Sequence, residues 1–418
     1  MVRRGIPLTI AAMSGRSLAI IGGGPAGLAA AESAALEGAA VTLFEAKRSV
    51  GRKFLVAGKS GLNLTHGELL EAFASRYQSG GGPALPWREL LETTSPAIIR
   101  AWARELGVET FQARTGRVYP TAMKAAPLLR RWIERLRELG VQMVMNYAWT
   151  SLDGGVPWRL GFANGASHRA DAVVFALGGG SWPQTGSDGA WVPRFASLGV
   201  PCQPLASANC GWETPWPASV LAAAEGLPVK NIEVAAAGQR VAGELLITRY
   251  GLEGGAIYQL GHALRGMAEP IIEIDFKPTF TAAALIEKLG TGHGDLLRRA
   301  VRAWRLSPAA AAMLATADWR DAAGLARLAR HFPIRLTRPR PIAEAISSAG
   351  GLCTGALAPG LMLREFPGCF VAGEMIDWEA PTGGYLLQGC FATGRHAGRQ
   401  AARWLSHGTP ASSASLPG

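Results

Sequence analysis

The stretch that decides the fold is "AIIGGGPAGLAAAESAALEGAAVTLFEA", Ala19 to Ala46. An apolar strand from Leu18 to Ile21 runs into glycines, an alanine-rich helix closes near Gly38, and a second apolar strand from Val41 to Phe44 ends in Glu45. A strand, helix and strand in this order predict a parallel sheet. Gly22, Gly24 and Gly27 stand in G-x-G-x-x-G spacing, with Pro25 and Ala26 between the last two. Gly22 allows a sharp turn, Gly24 allows close approach of a pyrophosphate, and Gly27 lets helix pack on strand. The helix N-terminus then receives negative charge. Glu45, followed by Ala46, lies where a carboxylate accepts from both ribose hydroxyls and disfavours a 2′-phosphate. With strand, helix, second strand and acid all in place, the fingerprint predicts a dinucleotide site.

Working outward, "GRKFLVAGKSGLNLTH", Gly51 to His66, contains Gly58-Lys59-Ser60, the end of a P-loop motif. The glycine that a P-loop needs five positions before Gly58 is Lys53, so the loop is no nucleoside-triphosphate cradle. Helical periodicity covers Ser95 to Leu106 and Ala126 to Leu139, each stopped by a glycine, Gly107 and Gly140, with strand-like pieces after each. "ADAVVFALGGGSWPQTGSDGAW", Ala170 to Trp191, is a further buried strand entering glycines. From about Pro201 the texture becomes short strands with Pro and Gly punctuation, then arginine-rich helices from Thr281 to Arg330, before parallel-sheet texture returns at Gly368.

The expected organisation is a leader at 1–16, a Rossmann-type domain at 17–200 and 341–404, an inserted β-rich domain at 201–280 and 331–340, a helical subdomain at 281–330, and a disordered tail at 405–418. The late segment "CFVAGEMID" has the strand-plus-acid form that returns to the flavin side of a dinucleotide, with Gly373, Glu374 and Asp377. Gly383-Gly384 opens another helix whose N-terminal dipole would stabilise an anionic reduced flavin. Only one complete fingerprint is present, which argues against a second dedicated nucleotide domain.

Composition fits a globular chain: 418 residues, 48 % hydrophobic, 17 % charged. No apolar run reaches membrane-spanning length. Five cysteines without C-x-x-C spacing fit a reducing cytoplasm and neither a disulfide framework nor a metal site. The net charge of +11 reads either as arginine-rich composition or as affinity for a polyanion.

Together with the fingerprint, "GRKFLVAGKSGLNLTH", "ALGGGSWPQTGSDG", "GELLITRYGLEGGAIY", "SSAGG" and "AGEMIDWEAPTGGYLLQGCFATGRHAG" resemble the BaiN-like, aminoacetone-oxidase-like family of FAD-binding oxidoreductases, over Leu18 to Gly398. The resemblance implies an α/β fold, a Rossmann-type FAD domain carrying an inserted barrel-like β domain and a small helical subdomain. It implies that Arg52 and Lys53 lie near the FAD phosphates and adenosine, and that Gly58, Ser60, Gly61 and Asn63 line the flavin. Gly178, Gly179, Gly373, Glu374, Gly383, Gly384, Tyr385 and Leu386 complete the implied cofactor set. The chain departs from the family at Leu62, at Leu386 after Gly383-Gly384-Tyr385, and at Glu253-Gly254-Gly255, all around the expected substrate face.

Chemistry is expected to rest on the flavin and one or two proton carriers. The candidates are Tyr385 as a substrate-facing phenol, His66 as a relay and Cys353 as a thiol donor. Each has a structural alternative: packing on the cofactor, a loop histidine, and a small buried hydrophobe. Glu374 is expected on the ribityl hydroxyls. Arg249, Arg265, Arg298, Arg299, Arg302 and Arg305 form either a solvated face or an RNA track. The sequence leads to an FAD-dependent oxidoreductase with NAD(P)H as transient donor. The expected substrate is a ribosomal RNA uridine reduced to dihydrouridine; the alternatives are a small-molecule oxidase or reductase acting on an amine or enone, and a flavoprotein that binds RNA without catalysis.

Overall fold

The computed structural model describes residues 16–58 and 61–407, which fall into two compact units, Met1–Ala206 with Ser347–Gly418 and Ser207–Ile346. Most of the expected leader and the end of the expected tail lie outside the described residues.

In the first unit, β1 (Ser17–Ile21), α1 (Pro25–Leu36) and β2 (Ala40–Glu45) form the predicted strand, helix and strand. β1 pairs in parallel with β2 on one side and with Ala172–Phe175 on the other. Gln142–Met145 extends the sheet in parallel beyond β2, and Cys369–Val371 beyond Ala172–Phe175. Leu357–Ala358 and Met362–Leu363 finish that edge antiparallel. Ala172–Phe175 is buried at all four positions, as a strand covered on both faces must be.

The helix Tyr385–His407 packs along α1. Its Gly394 and Gly398 face α1 so closely that a Cβ would lie 2.3 Å from the carbonyl oxygens of Ala26 and Ala30 respectively. Two glycines one turn apart thus let two backbones touch and carry the 373–393 segment to the fingerprint. On another face of α1, the buried Glu32 carboxylate accepts Trp132 Nε1–H at 2.8 Å and Trp102 Nε1–H at 3.0 Å and pairs with Arg135 Nε at 3.0 Å. It ties the helices Pro96–Glu105 and Ala125–Glu138 to the Rossmann helix. A three-stranded meander, Trp149–Asp153, Trp158–Phe162 and Ser167–Ala170, is an addition that the sequence pattern does not announce.

The second unit is a six-stranded antiparallel sheet in the order Trp212–Glu213, Gly251–Glu253, Gln239–Thr248, Pro228–Ala236, Ile271–Asp275, Phe332–Arg335. It curls back on itself: Glu213 N–H donates to Arg338 O at 2.9 Å and Thr337 N–H to Glu213 O at 2.8 Å. Four helices follow the predicted arginine-rich stretch, Ala282–Leu289, Leu296–Trp304, Pro308–Leu314 and Ala322–Arg330. Their Leu285, Trp304, Leu314 and Leu325 share one core with the strand residues Ile232, Ile272 and Ile274, so helices and sheet are one body. Each of these helices is capped by its own Thr, Asp or Ser, namely Thr281, Asp295, Ser307 and Asp321.

Candidate functional site

The site is assembled in the first unit, beginning with the fingerprint. Gly22 has φ +110° and donates its N–H to Phe44 O at 2.8 Å. A Cβ on it would lie 2.3 Å from Ala176 O, and one on Gly27 would lie 1.9 Å from Gly22 O. Gly24, by contrast, has open space within 4 Å of where its Cβ would be. Only the second glycine therefore fronts a vacant approach, the place a pyrophosphate needs. Pro25 opens α1, where its missing N–H costs nothing. The buried Glu45 carboxylate is aimed by two backbone donors, Gly23 N–H to Oε2 and Lys47 N–H to Oε1, both 2.8 Å. Each oxygen retains acceptor capacity for a ribose hydroxyl. Ala46 is exposed beside it.

Gly51 N–H donates to Gly23 O at 2.8 Å and so brings the second loop against the first. Arg52 and Lys53 begin a short helix, Arg52–Ala57, and Gly58 packs on Ala125, where a Cβ would sit 2.6 Å from the Ala125 methyl. Arg52 is exposed. Ser60 lies outside the described residues. Lys53, expected at the phosphates, instead donates to Glu374 Oε2 at 2.8 Å and Ser181 Oγ at 2.6 Å. Glu374, expected on the ribityl chain, accepts Ser348 N–H on Oε1 at 2.8 Å. Gly180 N–H donates to Ser348 Oγ at 2.7 Å, and Trp191 Nε1–H to Gly178 O at 2.8 Å. Gly179 lies so close that a Cβ would meet Ser348 Oγ at 2.3 Å. Four separately quoted motifs thus meet around one ion pair.

The third element is the start of the helix Tyr385–His407. Gly383 and Gly384 have φ +125° and +102°, and a Cβ on Gly384 would lie 2.5 Å from Thr65 O. Such contact sets the helix N-terminus, with the first-turn N–H groups of Tyr385 and Leu386, directly beside the Gly61–Thr65 segment. Gly373, with φ +80°, lies on Ala26, where a Cβ would be 2.7 Å away. Asn63 Oδ1, Thr65 Oγ1 and His66 Nδ1 are buried without a hydrogen-bond partner. Three unmet polar atoms on one short segment, an open approach at Gly24 and a helix N-terminus beside that segment fit a bound dinucleotide. Residues 22–27, Glu45, Asn63, Gly178, Gly179, Gly373, Glu374 and 383–386 would hold it.

His66 and Tyr385 are brought together, with ring centroids 5.2 Å apart and planes at 23°. The Tyr385 phenol differs from its sequence reading: it is buried and donates to Glu68 Oε2 at 2.8 Å, so its proton is already committed. Burial and then the Glu68 bond push its pKa well up. Arg76 pairs with Glu68 and holds that carboxyl below its usual range, against burial. His66 Nε2 lies 3.1 Å from Thr115 O, which can only accept, so the ring carries its hydrogen on Nε2 and leaves Nδ1 open. Cys353 has other neighbours, Asp377 and Gln203, and burial followed by the Asp377 charge raises its thiol. Glu68 and Arg76 carried no sequence motif. Their signal, an acid near the flavin loop with an arginine eight residues on, is too common to single out.

A parallel sheet with a glycine fingerprint, a ribose-directed acid and a late segment folded back on both defines a Rossmann-type dinucleotide oxidoreductase. The chain belongs to the HI0933-like family: the model described as "HI0933-like protein Rossmann domain" matches residues 16–400. It is an FAD-dependent oxidoreductase. A 3-dehydro-bile acid delta(4,6)-reductase from Clostridium scindens is 29 % identical over 415 residues, covering 92 % of this chain and 98 % of the relative. Among solved structures, an open flavocytochrome c3 fumarate reductase has a TM-score of 0.52 at 14 % identity, covering 94 % of this chain and 79 % of its own. The 3-ketosteroid-delta4-(5alpha)-dehydrogenase of Rhodococcus jostii RHA1 has a TM-score of 0.50 at 18 % identity, covering 94 % and 98 %. These two show the fold.

Proposed function

We propose that the enzyme reduces a carbon–carbon double bond conjugated to a carbonyl in a small, mainly apolar molecule, with NAD(P)H as the electron donor. The observation that carries this is the end-to-end likeness to a named reductase, which spans nearly the full length of both chains. Bound FAD, once reduced by NAD(P)H, would supply the two electrons as a hydride equivalent. The protein's part is to hold the cofactor and to move one proton. His66 is the carrier: its Nε2–H on Thr115 O fixes the ring, and Nδ1 gains and loses the proton. Tyr385 and Glu68 position it, Tyr385 by stacking on the ring and Glu68 by accepting the Tyr385 hydroxyl and so holding that ring in place.

The test is anaerobic. Chemically reduced enzyme is mixed with 4-androstene-3,17-dione and with a short acyclic enone, and enone absorbance and flavin reoxidation are followed together. One enone consumed per flavin reoxidised supports the reading. Reduced enzyme that ignores every enone but is reoxidised by oxygen, with oxidised enzyme whose flavin aminoacetone bleaches, would move the assignment to an amine oxidase.

Uridine reduction in ribosomal RNA remains a second reading, favoured by the net charge of +11. The inserted arginines support it only in part. Arg299 donates to the carbonyls of Leu289 and Gly290, both at 2.8 Å, Arg265 to Ser207 O at 3.1 Å, and Arg298 pairs with Asp295. Arg249, Arg302 and Arg305 are exposed. Loss of a ribosomal dihydrouridine on gene deletion would select this reading over the first.

A further inference from the structure

The small antiparallel sheet of Thr65–His66, Arg117–Pro120 and Thr110–Gln112 has two unlike faces. Thr65 and Val118 pair across it and are fully buried. On the other face, strand alternation sets His66 opposite Arg117, Tyr119 two residues along, and Phe111 opposite Tyr119. The Phe111 and Tyr119 rings stack, with centroids 5.9 Å apart and planes at 29°, yet Phe111 is left 41 % exposed. Met123 adjoins them, exposed and held at φ +59°, a conformation that costs a side chain energy and concentrates at binding sites. A Cβ on Gly61 would lie 2.6 Å from Met123 Cε and 3.7 Å from Tyr119 Cδ1, so this apolar surface begins at the cofactor loop. Arg117 stands on the same face at the helix start: a Cβ on Gly383 would be 3.9 Å from its Nε and 3.2 Å from Tyr385 Cε2.

The arginine's charge is unfavourably placed for the folded protein alone. A helix N-terminus is the positive end of its dipole, and a cation beside it is repelled. Among the described residues the half-buried Arg117 guanidinium makes no hydrogen bond or ion pair. Glu68, the carboxylate on the adjoining Tyr385 ring, is already taken by Arg76 and the Tyr385 hydroxyl. Two sources of positive charge therefore converge without a counter-charge, an arrangement that stabilises negative charge developing there. The planar fork of N–H donors suits an oxygen, and exposed stacked rings suit a flat apolar body. Both needs are met by one molecule that is flat and apolar and ends in an oxygen that becomes negative during the reaction.

Resting on the enone reading, we propose that Arg117 binds the substrate's carbonyl oxygen and that the Tyr119–Phe111 stack with Met123 is the platform for the substrate's apolar body. Hydride adds to the β carbon, the alkene pair becomes the double bond of an enolate, and the carbonyl pair moves onto the oxygen. Arg117 stabilises that oxygen as its charge grows. The α carbon then takes the proton of His66, the cross-strand neighbour of Arg117, and the carbonyl re-forms, so one hydride and one proton have saturated the bond.

The experiment titrates full-length, FAD-loaded, oxidised protein with 2-naphthol, a flat apolar phenol whose anion mimics the enolate. Its own absorbance separates phenol from phenolate. Wild type should bind it as the anion at a pH where the free probe is neutral. Arg117→Met should weaken binding about tenfold or more and return the bound probe to its neutral form, with FAD content unchanged, and Arg117→Lys should keep part of both effects. No naphthol binding by wild type overturns the subsite, as does Arg117→Met that binds the anion as wild type does. If that variant also loses FAD or lowers the flavin midpoint potential, the arginine serves the cofactor instead. Tyr119→Ala and Phe111→Ala should raise KM for the steroid enone about tenfold more than for the short acyclic enone, and equal effects would overturn the platform. If wild type binds the anion through Arg117 yet reduces no enone, the enone reading fails while the oxyanion subsite stands.

Discussion

Glu45 shows what one side chain contributes when both its oxygens are fixed by backbone donors. Glu45→Gln places an amide NH2 against either Gly23 N–H or Lys47 N–H, leaving one buried donor unmet. FAD binding by the apoprotein should weaken by about 1.5–3 kcal/mol, the worth of a hydrogen bond to a charged group, read as quenching of FAD fluorescence. A dissociation constant within twofold of wild type would remove Glu45 from the ribose. Glu68 makes a prediction in pH. Arg76 holds its folded-state carboxyl below the unfolded value, so the folded state prefers the carboxylate. The resulting stability is complete above the ordinary carboxylate range and is lost as pH falls through the lower folded value. Wild type should therefore melt above Glu68→Gln at neutral pH, and the gap should close below about pH 4. A gap independent of pH would mean that Glu68 acts by shape alone. The Tyr385 phenol illustrates the limit at this scale: its position next to a flavin helix was legible, but its partner 317 residues away in sequence was not.

Between elements, the decisive contact is the one between α1 and the helix Tyr385–His407. Gly394→Ala would force a methyl to within 2.3 Å of Ala26 O, a backbone atom that cannot turn aside. Overpacking of this kind costs roughly 1–3 kcal/mol, and because the same helix carries Gly383 and Gly384, FAD retention should fall with stability. Thermal melts and flavin content of Gly394→Ala, with the exposed Arg403→Ala as control, test both effects. Unchanged flavin content would separate helix packing from the cradle. The element reading itself was largely legible: β1, α1, β2 and the helices near Ser95 and Ala126 follow from apolar period and glycine stops, which are local properties. The Trp149–Ala170 meander escaped because its strands are short and half polar.

The described residues form two hydrophobic cores, one around β1 and one around the curled sheet of Ser207–Ile346. Calorimetry should resolve two transitions, and added FAD should raise the one belonging to the first unit, since a ligand stabilises what binds it. A single transition that FAD shifts as a whole would show that the two cores melt together. The helices of 281–330 looked like a separate body because their composition changes abruptly, yet Trp304 and Leu325 fill the same core as Ile272 and Ile274. Composition reports a segment's own character and not what its apolar face is pressed against.

By itself the sequence determined the β1–α1–β2 unit and its glycine turn, because glycine spacing, helix start and terminal acid act within a few residues of one another. The late glycine-rich segment has the form that returns to such a unit, and it does return, with Gly373 lying on Ala26. Only the tertiary structure decided that Lys53 meets Glu374, that Tyr385 meets Glu68, and that Arg117 stands at Gly383. Such pairings depend on how far two segments approach once the core has closed, and no pattern along the chain encodes that distance.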